Sequence, residues 1–513
     1  MRRLALSFAL LALARSASAY PFLAIHPSGT PFEGPADFEP TSIWWNPAAL
    51  AALRGLHVQF NGGLAAKQGT IARSAIDSST GLPGGAGDRA FPAVALHDNA
   101  FRYFGAATWD FGLDTVTFGF SVSAPWDASQ SFADDRTGST LALPTAYHLA
   151  SESFQNIFFS VALALKLHPK WLVGLSLSPV DSFADVVFYR DTALDGGSAL
   201  VKQSNALCGG PCGYENPAAA ARVHVHGDGG VFWDTPNFGG GPGLPIPLGL
   251  AMNWGIAFRP VERLWMGISW QHVFPLAGPG SGYERAYVAP SEIAAQVTPP
   301  SASGACGGTC TGADAIGFAL PDVFHLGARI TIREDLEVET WGRLITYGGY
   351  GTSSDPALSG LVVRVGSGAA QGGVPEQIVI NHKLRPAFAA EAGVRWRPRP
   401  SLRLGLSITL ESSAVPSDQV DAEAIDAPKL DATVGAEWRA RRWLRLLLAY
   451  GLTALVPVDG SGGYDPSARV RCVDSGGSID ACAADLAGNG LPAADGRYTL
   501  VTHHLTAGFV LDF

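Results

Sequence analysis

Leu402-Arg403-Leu404-Gly405-Leu406-Ser407-Ile408-Thr409-Leu410-Glu411 is the stretch that decides the fold. Side chains alternate across an extended chain, so Leu402, Leu404, Leu406, Ile408 and Leu410 share one face and Arg403, Gly405, Ser407, Thr409 and Glu411 the other. About ten residues is the length of a tilted strand that crosses a bilayer. Thr115 to Ala124 repeats the pattern, with Val116, Phe118, Phe120, Val122 and Ala124 on one side and Thr115, Thr117, Gly119, Ser121 and Ser123 on the other. A soluble sandwich also alternates, but it covers its apolar face with a core and leaves the polar face in water.

Composition and the two ends separate these readings. The chain is 47% hydrophobic and only 16% charged, with 61 Gly, 13 Trp and 26 Phe. After the N-terminus no run of apolar residues is long enough for a spanning helix. An apolar, Gly- and aromatic-rich chain without such a helix fits a closed transmembrane barrel, whose strands satisfy each other's backbone groups. Met1-Arg2-Arg3, the apolar run Leu4–Ala14 and Ala17-Ser18-Ala19 read as a secretory signal, residues 1–19, that would be removed. Its loss takes Arg2, Arg3 and Arg15, moving the formal net charge from −10 to −13, which argues against nucleic acid as a partner. At the other end Leu505, Ala507, Phe509, Leu511 and Phe513 share one face of an alternating last strand. A terminal aromatic at that register resembles the signal read by the outer-membrane barrel assembly machinery. The expected location is the bacterial outer membrane.

Six hairpins with short connections follow from the turn residues: 101–109 with 114–124, 153–167 with 171–190, 247–258 with 263–274, 321–332 with 336–347, 385–396 with 401–411, and 429–438 with 443–452. A strand near 56–66 and a last one near 497–513 bring the number to about fourteen, even as closed bacterial barrels require. The other connections, 67–100, 125–152, 191–246, 275–320, 348–384, 412–428 and 453–496, are long and rich in Gly, Pro, Ser and Asp. Short turns then face the periplasm and long loops the outside. All six cysteines fall in long loops as local pairs, Cys208 with Cys212, Cys306 with Cys310, and Cys472 with Cys482; an exported chain with an even number favours disulfides over a zinc site.

Between the signal and the first strand stands Trp44-Trp45-Asn46-Pro47-Ala48-Ala49-Leu50, with Gly55 behind it. Asn46-Pro47 reads as a turn opening a short apolar helix that Gly55 stops. A helix so short needs to be buried in something. Residues 20–55 are therefore read as a plug in the lumen, and 56–513 as the barrel: an all-β, antiparallel transmembrane barrel of about fourteen strands with a short N-terminal helical plug.

At this point the chain resembles the FadL/TodX family of outer-membrane transporters for long-chain fatty acids and other hydrophobic compounds. The plug stretch is similar to the family's Asn-Pro-Ala motif. Ser412-Ser413-Ala414-Val415-Pro416-Ser417-Asp418 with Asp426-Ala427-Pro428 is similar to its late hairpins, and the last strand ends in Phe513. Asn216-Pro217-Ala218 repeats the tripeptide inside a long loop, so position carries the weight. The resemblance implies passive transport. Ligand adsorbs on an apolar groove among outer loops, moves to a lumenal site against the plug, and leaves sideways through the wall after a plug shift. On this chain the groove would lie in loops 191–246 and 275–320, with Phe232, Trp233, Phe238 and Ile246, then Tyr283, Tyr287 and Ile293. A cysteine pair would brace each loop.

Such transport needs an apolar path and one place for a carboxylate, not a nucleophile. Inward positions include Arg329, Arg343, Arg395, Arg403 and Arg445, and Glu337, Glu339, Glu391, Glu411 and Glu437. Paired charges between neighbouring strands account for most of them. Arg329 and Arg343, following the groove, are the expected carboxylate partners. Gly119 is the expected lateral gate, because Gly weakens strand packing. His224, His226 and Asp228 share a face, read as a polar hairpin face rather than a metal site. No nucleophile-elbow, phosphate-loop or zinc-protease signature is present, and neither enzyme activity nor a cofactor is expected. Aromatic or alkane hydrocarbons are the alternative cargo. A surface receptor or adhesin barrel, or a lipid hydrolase with an inward Ser–His pair, are the alternatives outside transport.

Overall fold

Alternation continues through fourteen antiparallel strands, and the last of them pairs with the first. The computed structural model describes residues 25–75, 90–132, 144–145, 147–191, 220–229, 249–273, 276–286, 310–318, 320–347, 362–364, 378–379, 384–460 and 494–513. The wall consists of β1 (Leu56–Arg73), β2 (Val94–Trp109), β3 (Val116–Ser131), β4 (Ser151–His168), β5 (Trp171–Asp191), β6 (Gly249–Val261) and β7 (Leu264–Val273). It continues with β8 (Asp322–Arg333), β9 (Leu336–Thr346), β10 (Ala387–Arg399), β11 (Leu402–Glu411), β12 (Lys429–Arg441), β13 (Leu444–Leu455) and β14 (Gly496–Asp512). Each strand pairs with its neighbour in this order. β1 closes on β14 in one uninterrupted register, from His57 opposite Asp512 to Arg73 opposite Gly496.

All six short hairpins form as the turn residues indicate. Five of them share a device: a β-bulge in the first strand, just before a two-residue turn, at Lys166/His168, Phe258/Val261, Thr331/Arg333, Trp396/Arg399 and Arg439/Arg441. A bulge leaves one residue without a ladder bond, and Pro260 and Pro398, which have no N–H to donate, sit within two of them.

Several strands run further toward the long loops than the sequence indicates; the first ends at Arg73 rather than near 66, and the second begins at Val94 rather than 101. Beyond the wall, strand Ala220–Gly229 pairs with β5 and with Leu276–Ala286, which in turn pairs with Cys310–Phe318. The two loops expected to form a groove thus share a sheet. His224, His226 and Asp228 take alternate positions of Ala220–Gly229, Tyr283 lies in Leu276–Ala286, and Cys310 opens the third strand. Phe232, Trp233, Phe238, Ile246, Tyr287, Ile293, the other five cysteines and the signal stretch 1–19 lie outside the described residues.

The outer surface carries the apolar face. Phe118, Phe120, Val161, Leu163, Leu406, Ile408, Leu410, Leu448 and Leu505 are all exposed, while Ser407 and Thr409 between them are fully buried. Such a surface is stable only in a low-dielectric surrounding. Among the described residues no helix is long and apolar enough to cross a membrane. The largest fully buried side chains, among them Trp45, Arg343, Phe104, Phe158, Ile43 and Leu50, lie inside the barrel. Loop 412–428, expected outside, folds inward instead. Val420, Ala422, Ala424 and Ile425 are at most 3% exposed. An apolar run of that kind gains more from the lumen than from water, and Gln130 of the wall donates to the Ala422 carbonyl (3.4 Å).

Candidate functional site

Residues 25–55 occupy the lumen at the short-turn end. The plug carries a one-turn helix, α1 (Ser42–Trp45), and a six-residue 3-10 helix, Pro47–Ala52, where the sequence indicates a single short helix. Asn46 separates them in an extended conformation. Its side chain explains why that residue type is needed. Oδ1 accepts from Ala48 N (3.2 Å), capping the 3-10 helix, while Nδ2 donates to Pro35 O (2.9 Å) within the plug and to Ile256 O (3.1 Å) in β6. Pro47 opens the helix at the position where a missing N–H costs nothing. The chain leaves through Gly55, whose φ of +83° favours glycine. Leu56 N then donates to Phe513 O (3.1 Å), and Phe513 N to Leu56 O (2.8 Å), so the plug exit and the chain end meet.

The wall is shaped to receive this stretch. Gly174 of β5 lies under the Pro47–Ala48 backbone so closely that a Cβ there would overlap it, and Gly255 of β6 meets Asn46 in the same way. Gly174 and Gly255 are ladder partners, so two neighbouring strands give way at one point. Gly267 and Gly327, also partners, make the seat for Pro35, and Gly405 and Gly435, a third pair, the seat for Pro31. Polar wall groups then take up plug carbonyls. Asn253 Nδ2 donates to Trp44 O (2.5 Å) and Ser269 Oγ to Trp45 O (2.5 Å). Trp44 packs edge-on to Phe158, with centroids 5.5 Å apart, and Trp45 lies 5.0 Å from Trp341.

Charge holds the other half of the plug. Asp37 pairs with Arg395 of β10 and with Arg329 of β8 (3.2 Å). Glu39 pairs with Arg403 of β11 (3.0 Å) and Arg445 of β13 (3.1 Å). Arg329 and Arg403 each also cover a plug ring, Phe38 and Phe32, at 4.4 Å. Burial alone would favour the neutral acid at Glu39, but Arg445 and Arg403 outweigh it and hold its pKa well below the usual carboxylate range. Glu33 turns inward to the plug itself, accepting from Trp45 Nε1 (2.9 Å) and Ser28 N (3.1 Å). Burial likewise opposes the charged form of His26, yet Glu391 at 3.1 Å, Asp431 at 3.7 Å and Glu33 at 3.7 Å raise its pKa to about 9. Ser407 Oγ stands 3.3 Å from the same ring.

The inward arginines are thus divided between two tasks. Arg329, Arg395, Arg403 and Arg445 reach the plug acids, while Arg343 pairs with Glu411 (2.5 Å) across the wall. Wall acids complete the network, with Glu339 on Arg395 and Glu437 on both Arg403 (2.7 Å) and Arg445 (3.0 Å). Arg329 and Arg343 therefore already hold carboxylates. Asp37 and Glu39 are the partners that alternation could not supply, since they lie in a segment without period; two acids ahead of five inward arginines were the available signal.

Beside the plug lies a cavity of about 90 Å³ lined by His26, Lys67, Arg102, Lys429, Asp431 and His504 among others. That is several times what a single water needs, enough for a carboxylate head group. Arg102 Nη1 is 3.4 Å from His504 Nδ1, and its buried Nε has no hydrogen-bond partner among the described residues. Tyr103 and Phe104 line the same cavity. At Phe104 the wall changes: the β2–β3 ladder runs from Trp109 opposite Phe118 to Phe104 opposite Ser123 and stops. Among the described residues β2 before Phe104 pairs only with β1, and β3 after Ser123 only with β4, with a register shift between Ser123 and Trp126. Pro125 sits in that shift. The interruption is not at Gly119, which pairs with Thr108 on one side and Ala162 on the other. Gly119 instead makes room for the plug, since a Cβ there would stand 2.9 Å from Ile43 and 3.1 Å from Leu50.

No family model and no curated protein sequence matches this chain. Solved structures match over nearly its whole length. A FadL homologue of Pseudomonas aeruginosa is 14% identical with a TM-score of 0.69, covering 97% of this chain and all of that one. The toluene transporter TodX of Pseudomonas putida is 12% identical with a TM-score of 0.59, over 97% of this chain and all of the other. The toluene transporter TbuX of Ralstonia pickettii is 11% identical with a TM-score of 0.57, over 96% and 100%. At these identities the likeness is one of fold: the chain folds as a plugged FadL/TodX-type barrel.

Proposed function

We propose that the chain is a non-enzymatic outer-membrane channel through which small hydrophobic molecules, long-chain fatty acids first among them, diffuse toward the cell. The observation that carries this reading is the cavity at Arg102, Tyr103 and Phe104, which lies against the plug and ends where the β2–β3 ladder stops. A ligand there has the plug on one side and an unladdered seam on the other, the arrangement lateral release requires. The plug is docked to the wall through Asp37 and Glu39, so onward passage needs the plug to move. The wall's solved relatives by fold carry toluene and monoaromatic hydrocarbons in their names as well as FadL. The cavity's cationic lining favours an amphiphile with an anionic head over a bare hydrocarbon. Lys67 and Arg102 would receive the carboxylate. Arg329 enters as the group that exchanges Asp37 for the incoming carboxylate as the plug shifts, and Arg343, paired in the wall, as a later station. Loops 191–246 and 275–320, with Phe232, Trp233 and Phe238, would gather ligand outside. Gly119 serves this cycle by giving the plug clearance, and the gate is the seam after Ser123.

The test is uptake of labelled oleate and of toluene by cells that lack their own channels, with and without this protein. Oleate uptake restored by the wild type and reduced several-fold by Arg102→Gln supports the reading. Toluene uptake alone moves the cargo to hydrocarbons, and uptake of neither, with the barrel assembled, refutes transport.

A further inference from the structure

The short-turn rim carries charge that the transport reading does not use. Hairpins β10–β11 and β12–β13 are side by side, joined through the β11–β12 ladder and by Arg439 N donating to Ser401 O (2.8 Å). Their ends hold Arg397, Arg399, Arg439, Arg441 and Arg442, all exposed. Among the described residues none of the five meets a carboxylate; Arg441 donates only to its neighbour's carbonyl, Ala440 O, at 3.2 Å. Two other arginines at this end are neutralised. Arg54 pairs with Asp114 (3.2 Å) and Arg333 with Asp335 (3.1 Å). In a chain of net charge −10, five unpaired guanidiniums on one arc are a local reversal of sign.

The same arc carries exposed tryptophans. Trp396, Trp438 and Trp443 are 45%, 53% and 48% exposed, and each adjoins an arginine in sequence: Arg397, Arg439 and Arg442. Tryptophan at the edge of an apolar barrel band sits at head-group level. Arg399 and Arg441, ladder partners of Leu402 and Leu444 on the outward face, lie further toward the turns than Trp396 and Trp438, and side chains long enough to snorkel put them at phosphate depth, with Arg397, Arg439 and Arg442 beside them on the rim. Guanidinium binds phosphate through two parallel hydrogen bonds.

We propose that this arc is a binding site for anionic glycerophospholipids of the leaflet on the short-turn side, the five arginines holding phosphates and the three tryptophans the glycerol and upper acyl region. The occupant is a lipid and not an acidic protein because Arg399 and Arg441 share the outward, membrane-facing side of the wall with Trp396 and Trp438. It rests on the barrel spanning a bilayer and not on what the barrel transports.

Native mass spectrometry of the folded full chain, released from micelles holding equal phosphatidylglycerol and phosphatidylcholine, tests this. One surface cation near an anionic head is worth about fivefold in affinity. The wild type should retain phosphatidylglycerol over phosphatidylcholine by at least about tenfold, less at high salt. The variant R397Q/R399Q/R439Q/R441Q/R442Q should approach parity, and the all-Lys variant should keep most of the preference. Heat-modifiable migration checks that each variant is folded. If the five-Gln variant does not fold, R397Q/R399Q and R439Q/R441Q/R442Q are read separately and should each lose part of the preference. Equal retention of both lipids by the wild type, or an undiminished preference in folded Gln variants, overturns the proposal. Competition by soluble glycerophosphate as strong as that by the lipid also overturns it, since the tryptophans would then contribute nothing.

Discussion

Two segments fill the lumen from opposite ends, and they are held in different ways. The plug is held by the wall: Asp37 and Glu39 reach four arginines on four strands, and Asn253 and Ser269 donate to its backbone. Loop 412–428 is held largely by itself. Asp426 accepts from Ala414 N (2.6 Å), Ser413 Oγ (3.0 Å) and Lys429 Nζ (2.7 Å), and Asp421 from Glu423 N (2.9 Å) and Ala424 N (2.8 Å). A segment that carries its own hydrogen bonds keeps its shape when it moves. One that borrows them from the wall must break buried charge pairs to leave, and an anionic ligand can replace those pairs. In the transport cycle proposed above, the plug is therefore the element that a ligand would release, and the inward loop a preformed cover.

The largest expected effect follows from this difference. Asp37→Asn removes the acid shared by Arg395 and Arg329 while keeping its shape. Breaking one side of a buried ion pair costs about 3–5 kcal/mol, so the plug should lose its protection from hydrogen exchange while the strands and loop 412–428 keep theirs. Adding Arg395→Gln should not restore it, because Arg329 still lacks Asp37 and Glu339 then loses its own partner. Plug protection unchanged in Asp37→Asn would break the distinction between the two segments.

Next is the response to pH. His26 has a folded-state pKa raised to about 9 from 6.5, so its contribution is fully present below pH 6.5 and disappears as pH rises through 9. Each unit is worth about 1.4 kcal/mol, which sets an upper figure of about 3 kcal/mol for this end of the plug. Exchange of residues near 26–30 should quicken between pH 6.5 and 9, beyond the intrinsic rise, and the effect should vanish in His26→Gln. Groups facing the ring, Glu33, Glu391, Asp431 and Ser407, are all on the plug or the wall, so the loop should show no such window.

Gly174→Ala sharpens the same comparison by size instead of charge. The added methyl overlaps the Pro47–Ala48 backbone, and overpacking of this kind costs about 1–3 kcal/mol. The plug should be displaced and small-solute permeability raised, with the barrel still heat-modifiable. Gly342→Ala, whose Cβ would find its nearest neighbour 3.8 Å away, should do nothing. Equal effects from the two would mean that the seat is not matched to the plug.

What could be read in the sequence follows from what has a period. Leu402–Glu411 and Thr115–Ala124 announced the wall because alternation is local, and the closing contact of β1 with β14 followed from an even number of strands. Asn46-Pro47 announced the plug because its turn chemistry is also local. The strand extensions to Arg73 and back to Val94 were hidden by Gly69 and by the polar run His97-Asp98-Asn99, which dilute the pattern. The glycine seat was invisible for another reason: Gly174 and Gly255 are 81 residues apart, and only the ladder brings them together. The inward turn of 412–428 looked like an outer loop because Gly, Pro, Ser and Asp content measures the lack of a period, not exposure. Asp37 and Glu39 were charged residues in an aperiodic stretch, and nothing local distinguishes a solvated acid from one that reaches Arg395.

The smallest effect tests the loop's independence. Ser413 Oγ has one proton to donate and two acceptors in reach, Val415 O (2.7 Å) and Asp426 Oδ2 (3.0 Å), both within the segment. Ser413→Ala removes this donor at a cost of about 0.5–1.5 kcal/mol. Because the partners are local, the loss should appear as faster exchange at residues 413–427 alone, with plug protection and the His26 pH window unchanged. If the plug loosens as well, the two closures are coupled through the lumen, for instance along Gln130 and Lys67 of the wall, and the cover then senses the plug instead of standing apart from it.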